Sequence, residues 1–216
     1  MSKTQQEYFN EFETIKKDPK AKKCWWYHYL CQVNEEQLTK YMETFDELDK
    51  ENQGTLEIDE LKKVKLIENK TKLPEETIGR LITAFTINTE TESIDRIEFI
   101  GFISFLTKCM DAFETYDTDK SNSLELSECK KGVFDFIVEG ITDLSIDILL
   151  ELNGIILKGK DEKSLTKIQF VGCCAYLAQC YSIFQSTLDI DRNGLENKRD
   201  AFIKFIEMIL ILLKKE

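Results

Sequence analysis

Apolar residues recur three and four positions apart through most of this 216-residue chain, the spacing that lines up side chains on one face of an α-helix. The clearest run is 94–117, IDRIEFIGFISFLTKCMDAFETYD. Here Phe99, Phe102, Ile103, Leu106, Met110 and Phe113 fall on one stripe with no proline to interrupt it, which predicts a single long helix. The segment QFVGCCAYLAQCYSIFQSTLD, at 169–189, predicts a second. Strand-like alternation is scarce, and only two prolines and nine glycines occur, so the expected fold class is all-α.

Short acidic loops separate the helices. They begin at residues 49, 87, 117, 158 and 189, so the intervals alternate between long and short: 38, 30, 41 and 31. A recurrence at this period indicates one supersecondary unit used several times. The long intervals hold an exit helix, a linker and an entry helix, with linker signals at 69–76 (NKTKLPEE) and 139–145 (EGITDLS). Pro74 suits a first helical turn, and Asp143 or Ser145 suits a cap. The short intervals have room for one helix only. From Glu98 to Asp117 is nineteen positions, about 30 Å at 1.5 Å per residue.

The loop DTDKSNSLELSE, 117–128, carries the strongest chemistry. A helix–loop–helix calcium site of the EF-hand kind needs oxygen ligands at loop positions 1, 3, 5, 7, 9 and 12, a sharp turn at 6 and an apolar residue at 8. Those ligand positions hold Asp117, Asp119, Ser121, Ser123 through its carbonyl, Glu125 through water, and Glu128. Leu124 fills position 8, where it can join a short β-bridge to a partner loop. Asn122 replaces the usual glycine at the turn, and asparagine is among the residues that best tolerate the left-handed backbone required there.

The loop DKENQGTLEIDE, 49–60, has the complete frame: Asp49, Glu51, Gln53, Gly54 at the turn, Thr55, Leu56, Glu57 and Glu60. Gln53 is neutral and Glu51 is long for a tight ring of oxygens, so weaker binding is expected. In 87–98, INTETESIDRIE, Ile94, Glu98 and the following Phe99 keep the frame, but Ile87 and Thr89 stand where carboxylates belong. That loop is expected to be structural. In 158–169, Lys158, Lys160 and Gln169 occupy ligand positions around a retained Leu165, which argues against a metal. The last loop, DIDRNGLENKRD at 189–200, offers Asp189, Asp191, Asn193 and Asp200, with the shorter aspartate at position 12 favouring weak or magnesium-like occupancy.

Five such units, the second and third sharing one long helix and the fourth and fifth another, resemble the penta-EF-hand family, which includes sorcin, grancalcin and the calpain regulatory subunits. The similarity covers about residues 36–213 and is greatest along FIGFISFLTKCMDAFETYDTDKSNSLELSE, 99–128, with FVGCCAYL at 170–177 as its counterpart. It implies an all-α fold in which hands one and two pair and three and four pair. It also implies that the unpaired fifth hand meets its equivalent in another chain, making a homo- or heterodimer. On that basis the apolar helix at 202–213 is a dimer surface; on composition alone it packs equally well into its own core. The expected organisation is an N-terminal arm, 1–35, rich in lysine and aromatic residues, followed by an EF-hand domain, 36–216. The arm departs from the Gly/Pro-rich arm common in the family.

Charge and cysteine usage narrow the chemistry further. A net charge of −11 disfavours nucleic acid and anionic membranes as main partners and favours cations or basic peptides. Seven cysteines without a CxxC pair, and one histidine, lack the spacing of zinc sites or a disulfide framework, so reduced intracellular thiols are expected. The N-terminal residues are polar where a secretory signal has an apolar core, and the apolar run Met208–Leu213 is far short of the ~20 residues of a membrane span. No nucleophile–base pair or phosphate loop occurs, and a non-enzyme is expected.

These readings converge on a cytoplasmic calcium-binding sensor or adaptor that engages a partner protein. The alternative is a structural subunit of a cytoskeletal or protease assembly with partly degenerate metal sites; a pure calcium buffer is a third reading. The aromatic stretch Trp25, Trp26, Tyr27 and Tyr29 admits two roles, sealing the first helix pair or serving as a docking segment.

Overall fold

The computed structural model describes residues 4–64, 73–87, 92–125, 128, 164–187 and 201–209. The described residues are mostly helical, with two small two-stranded sheets. The chain divides into two compact units, Met1–Thr107 and Lys108–Glu216.

In the first unit, helix α1 (Gln5–Ile15) starts at a reciprocal cap: Thr4 Oγ1 accepts from Glu7 N–H, and Glu7 Oε2 accepts from Thr4 N–H at 2.7 Å. Helix α3 (Glu35–Leu48) starts the same way on Asn34 and Gln37, after a 3₁₀ turn (Ala21–Lys23) and a short helix α2 (Tyr27–Cys31). Leu38, Tyr41, Met42, Phe45 and Leu48 form the buried stripe of α3, at the helical spacing. Strand β1 (Thr55–Glu57) leads into the single turn α4 (Ile58–Leu61), and α5 (Glu75–Phe85) follows Pro74, which stands immediately before the helix. Strand β2 (Ser93–Asp95) then leads into α6 (Arg96–Tyr116), a 21-residue helix where the apolar stripe predicts one.

Strands β1 and β2 pair antiparallel in a register that sets Leu56 opposite Ile94. These are the eighth positions of the loops at 49 and 87, so the frame read from the sequence coincides with the observed pairing. In the second unit, β3 (Ser123–Glu125) pairs with β4 (Ser164–Thr166), and Leu124 faces Leu165, again eighth position to eighth position. Each bridge carries a fully buried leucine or isoleucine on both strands, so both pairings are held by apolar contact as well as by backbone hydrogen bonds.

Helix α7 (Lys167–Thr187), the second predicted long helix, also runs 21 residues. A further helix spans 201–209, where Phe202 and Ile206 are buried and Phe202 meets Tyr181 and Phe184 of α7 at ring distances of 5.1 and 5.3 Å. Part of that apolar segment therefore packs within its own chain, while Met208 and Ile183 remain exposed. The linker at 139–145, the first six residues of the 158 loop and the whole 189–200 loop, with Asp189, Asp191, Asn193 and Asp200, lie outside the described residues. No described helix is long and apolar enough to cross a membrane.

The aromatic stretch is interior. Trp25 and Trp26 are buried against α5 and α6, with Trp25 and Phe85 ring centroids 5.1 Å apart and Trp26 and Phe85 at 5.9 Å. This is the sealing role. The rest of the arm is fastened as well: Tyr8 and Phe12 of α1 are buried, Tyr8 Oη donates to Asp46 Oδ2 at 2.6 Å, and Arg96 Nη1 pairs with Asp46 Oδ1 at 2.6 Å. Arg96 also lies over the Phe45 ring, at 4.6 Å, and reaches Glu11 at 3.4 Å, so one guanidinium joins α1, α3 and the start of α6.

Candidate metal site

Loop 117–128 begins at the last turn of α6 and wraps around its own first side chain. Asp117 Oδ1 accepts from Ser121 N–H at 3.0 Å and Oδ2 from Asn122 N–H at 3.0 Å, which bends the chain back over the carboxylate. The bend places Lys120 at φ 58° and Asn122 at φ 62°. Asn122 thus takes the left-handed conformation anticipated for a turn residue without glycine.

The other end closes on the same point. Glu128 Oε1 accepts from Thr118 N–H at 2.8 Å and Thr118 Oγ1 at 2.9 Å, and Oε2 accepts from Glu125 N–H at 3.3 Å. Oxygens of Asp117, Asp119 and Glu128 come within 4.8 Å of one another, and this is the one trio among the described residues that converges so. The first and last of them are buried, at 8% exposure each, while Asp119 is open to solvent. Ser121 Oγ donates to the Ser123 carbonyl at 2.9 Å, placing the expected fifth- and seventh-position oxygens side by side. Glu125 sits beyond them on β3, exposed.

Electrostatics favour the ionised forms here. Hydrogen bonds from Ser121 hold the Asp119 carboxyl below its ordinary range. For Glu128, desolvation pushes upward but is outweighed by donors on Thr118, Glu125 and Asp119, so its carboxyl also stays low. Three carboxylates with a serine hydroxyl and a backbone carbonyl make an all-oxygen donor set, which suits a hard cation such as calcium and excludes a thiolate- or imidazole-preferring metal. The residues present fit the ion.

Loop 49–60 folds similarly at its start and makes the same ninth-position contact at its end, but its carboxylates do not converge. Asp49 accepts from Gln53 and Gly54 N–H at 2.8 and 2.9 Å, with Asn52 at φ 53° and Gly54 at φ 77°. Gln53 turns its side-chain amide onto Glu51 Oε2 at 2.8 Å, so the fifth position engages the third directly. Glu60 Oε2 accepts from Glu57 N–H at 3.1 Å, next to Thr55 and Glu57 on β1, but Asp49, Glu51 and Glu60 do not form a converging trio.

Loop 87–98 closes in another manner. Glu98, 4% exposed, accepts from Asp95 N–H through Oε2 at 2.8 Å and from Ile87 N–H through Oε1. Burial, together with the charge of Asp95, pushes its carboxyl up to about 7 despite those two donors. Asp95 is raised too, chiefly by burial. In the fourth loop, Gln169 Oε1 accepts from Thr166 N–H at 2.8 Å, the same closing contact made by a neutral side chain. Sequence reasoning had no signal for the Arg96 clamp or for the Ile87 contact, because both depend on partners distant in the chain or on backbone atoms.

No protein-family model and no curated protein sequence matches the chain. Among solved structures the chain is similar to a homolog of programmed cell death 6 protein from Leishmania major Friedlin, with a TM-score of 0.51 at 16% sequence identity over 82% of this chain and 94% of that one. At that identity the likeness concerns the fold alone.

Proposed function

We propose that the chain is a calcium-binding protein of the EF-hand type, built of five hands, whose 117–128 loop is its principal ion site. The observation that carries this reading is the convergence of Asp117, Asp119 and Glu128 at the first, third and twelfth positions of a loop whose eighth residue bridges to a partner loop. The similar fold of the programmed cell death 6 homolog, a penta-EF-hand protein, supports it. Ser121, Ser123 and Glu125 complete the ligand set, the loop 49–60 is a weaker second site, and Asp189, Asp191, Asn193 and Asp200 a third, where magnesium competes.

A bound ion supplies two positive charges to a loop that otherwise holds its carboxylates together through N–H and O–H donors. Glu128 is the residue that feels the difference most, since it alone joins the opening turn at Thr118 to the loop's end. In this reading the protein is a non-enzymatic cytoplasmic sensor or adaptor for a partner protein, with sites in the range of about 10⁻⁷ to 10⁻⁵ M typical of sensors. Dimerisation through the C-terminal hand fits the exposed Met208 and Ile183.

The test is calorimetric calcium titration of the wild type and of Glu128→Gln, with magnesium competition. The stoichiometry falls by one in the variant; an unchanged stoichiometry defeats the assignment. A second reading, a structural subunit, is favoured by the closure of loop 87–98 on peptide N–H groups, which needs no ion. Near-UV circular dichroism and an apolar dye, with and without calcium, separate the two: a sensor changes and a fixed subunit does not.

A further inference from the structure

In loop 117–128 the calcium frame gives ligand roles to positions 1, 3, 5, 7, 9 and 12 and none to position 2, where Thr118 stands. The fold nevertheless brings that residue to the closing glutamate. Glu128 Oε1 accepts from the Thr118 N–H at 2.8 Å, from Thr118 Oγ1 at 2.9 Å and from the Asp119 N–H at 3.3 Å. Oε2 has a single longer contact, the Glu125 N–H at 3.3 Å. The carboxylate is thus anchored through one oxygen to the start of the loop, ten residues back in the chain.

That anchor sets Glu128 where an ion needs it. Its oxygen lies within 4.8 Å of oxygens of Asp117 and Asp119, the span of two calcium–oxygen bonds of about 2.4 Å across one ion. Two other loops lack a hydroxyl at position 2 and close differently. In 49–60 that position is Lys50, Glu60 takes only the Glu57 N–H among the described residues, and no trio converges. In 158–169 position 2 is Gly159 and the threonine stands at position 9. There Thr166 N–H and Oγ1 both donate to Gln169 Oε1 at 2.8 Å, which keeps the closing side chain at its own end of the loop. A threonine hydroxyl draws the closing residue across the loop only from position 2.

We propose that Thr118 is a positioning residue for calcium, whose hydroxyl holds the Glu128 carboxylate in the ligating position before the ion arrives and so raises the affinity of loop 117–128. The inference rests on the reading of that loop as the principal ion site, and it adds a residue outside the ligand set. An untethered glutamate loses rotamer freedom when it closes on an ion; with Thr118 in place, that freedom is already lost on folding. Thr118 itself is exposed, so exchanging it removes no core contact.

The test is calorimetric calcium titration of the full chain in competition with a chelator, following the tightest step in the wild type, Thr118→Val and Thr118→Ser. Valine keeps the shape and lacks the hydroxyl. The dissociation constant of that step rises about three- to tenfold at unchanged stoichiometry, and serine restores it to within about twofold. In a Glu128→Gln background the Thr118→Val exchange leaves the remaining binding as it was, because the hydroxyl acts through Glu128. A valine variant that binds as tightly as the wild type, or more tightly, overturns the proposal. So does a serine variant as weak as valine, or an equal loss in the Glu128→Gln background. Failure of the site itself reads differently: Glu128→Gln then keeps the wild-type stoichiometry, and the role of Thr118 falls with it.

Discussion

Glu98 and Glu128 occupy the twelfth position of neighbouring loops, at opposite ends of α6, and both accept from the N–H of the ninth residue. They differ in the other oxygen. Glu128 turns it to Thr118 at the loop's second position, beside two further carboxylates, and stays below the ordinary range. Glu98 turns it to Ile87 N–H at the first position, where its neighbour loop has Asp117, and rises to about 7 under burial. The lesson is that a closing glutamate does not by itself make a metal site. What decides is whether the first position offers a carboxylate, which repels until a cation arrives, or a peptide N–H, which satisfies the glutamate outright.

The largest test of that contrast is Glu128→Gln. At a calcium concentration about a thousand times the dissociation constant, an ion bound only to the folded state contributes ~4 kcal/mol of stability. The variant loses that increment, and its urea midpoint in saturating calcium falls by the corresponding amount, leaving above the EDTA value only what the weaker sites contribute. A calcium-dependent midpoint that persists undiminished would show that the ion sits elsewhere.

Glu98→Ala gives the complementary result. It strands the N–H groups of Ile87 and Asp95 in a part-buried site, which costs about 3 kcal/mol with or without calcium, while calorimetric stoichiometry stays at the wild-type value. A lowered stoichiometry would make loop 87–98 a metal site after all. The pH dependence carries the same contrast at smaller scale. Because the folded-state carboxyl of Glu98 titrates at about 7, above its ordinary 4.5, its contribution is fully present below pH 4.5 and is lost as pH rises through 7, on the order of 2 kcal/mol. Glu128 runs the opposite way: held low, it contributes above its unfolded pKa and is lost as pH falls through the lower folded value. Denaturation midpoints in EDTA between pH 4 and 8 check both signs, and Glu98→Gln flattens the decline toward neutral pH if Glu98 is its source.

The long helices were legible because their signal is local: the stripe from Phe99 to Phe113 has a period that only a helix satisfies, and α6 and α7 each run 21 residues. The eighth-position pairings were legible too, since one apolar residue in a polar loop needs a partner to hide against. Loop 49–60 shows where such reading stops. Every ligand type is present there, yet Gln53 binds Glu51, and Asp49, Glu51 and Glu60 do not converge; neither outcome is encoded in residue type. The fit of Trp26 against Gly101 joins residues 75 positions apart, and Arg96 reaches back to Asp46 and Glu11; contacts of that range leave no trace in periodicity.

The smallest effect separates the two loops that keep a carboxylate at the first position among the described residues. Loop 49–60 turns on Gly54 at φ 77°, and loop 117–128 turns on Asn122 at φ 62°. A left-handed backbone strains every residue with a Cβ, asparagine less than most, so Asn122→Gly relieves a few tenths of a kcal/mol in the folded loop while adding freedom to the unfolded chain. The two nearly cancel, and the midpoint in EDTA should move by less than about 0.5 kcal/mol. Asn122→Ala has neither the tolerance of asparagine nor the freedom of glycine. It should lose ~1 kcal/mol and weaken calcium binding at this loop alone, because the N–H of residue 122 is one of the two donors that fold the chain over Asp117. If the alanine variant bound calcium as the wild type does, the bend at 122 would be dispensable, and the convergence of Asp117, Asp119 and Glu128 would have to be set by the closing glutamate alone.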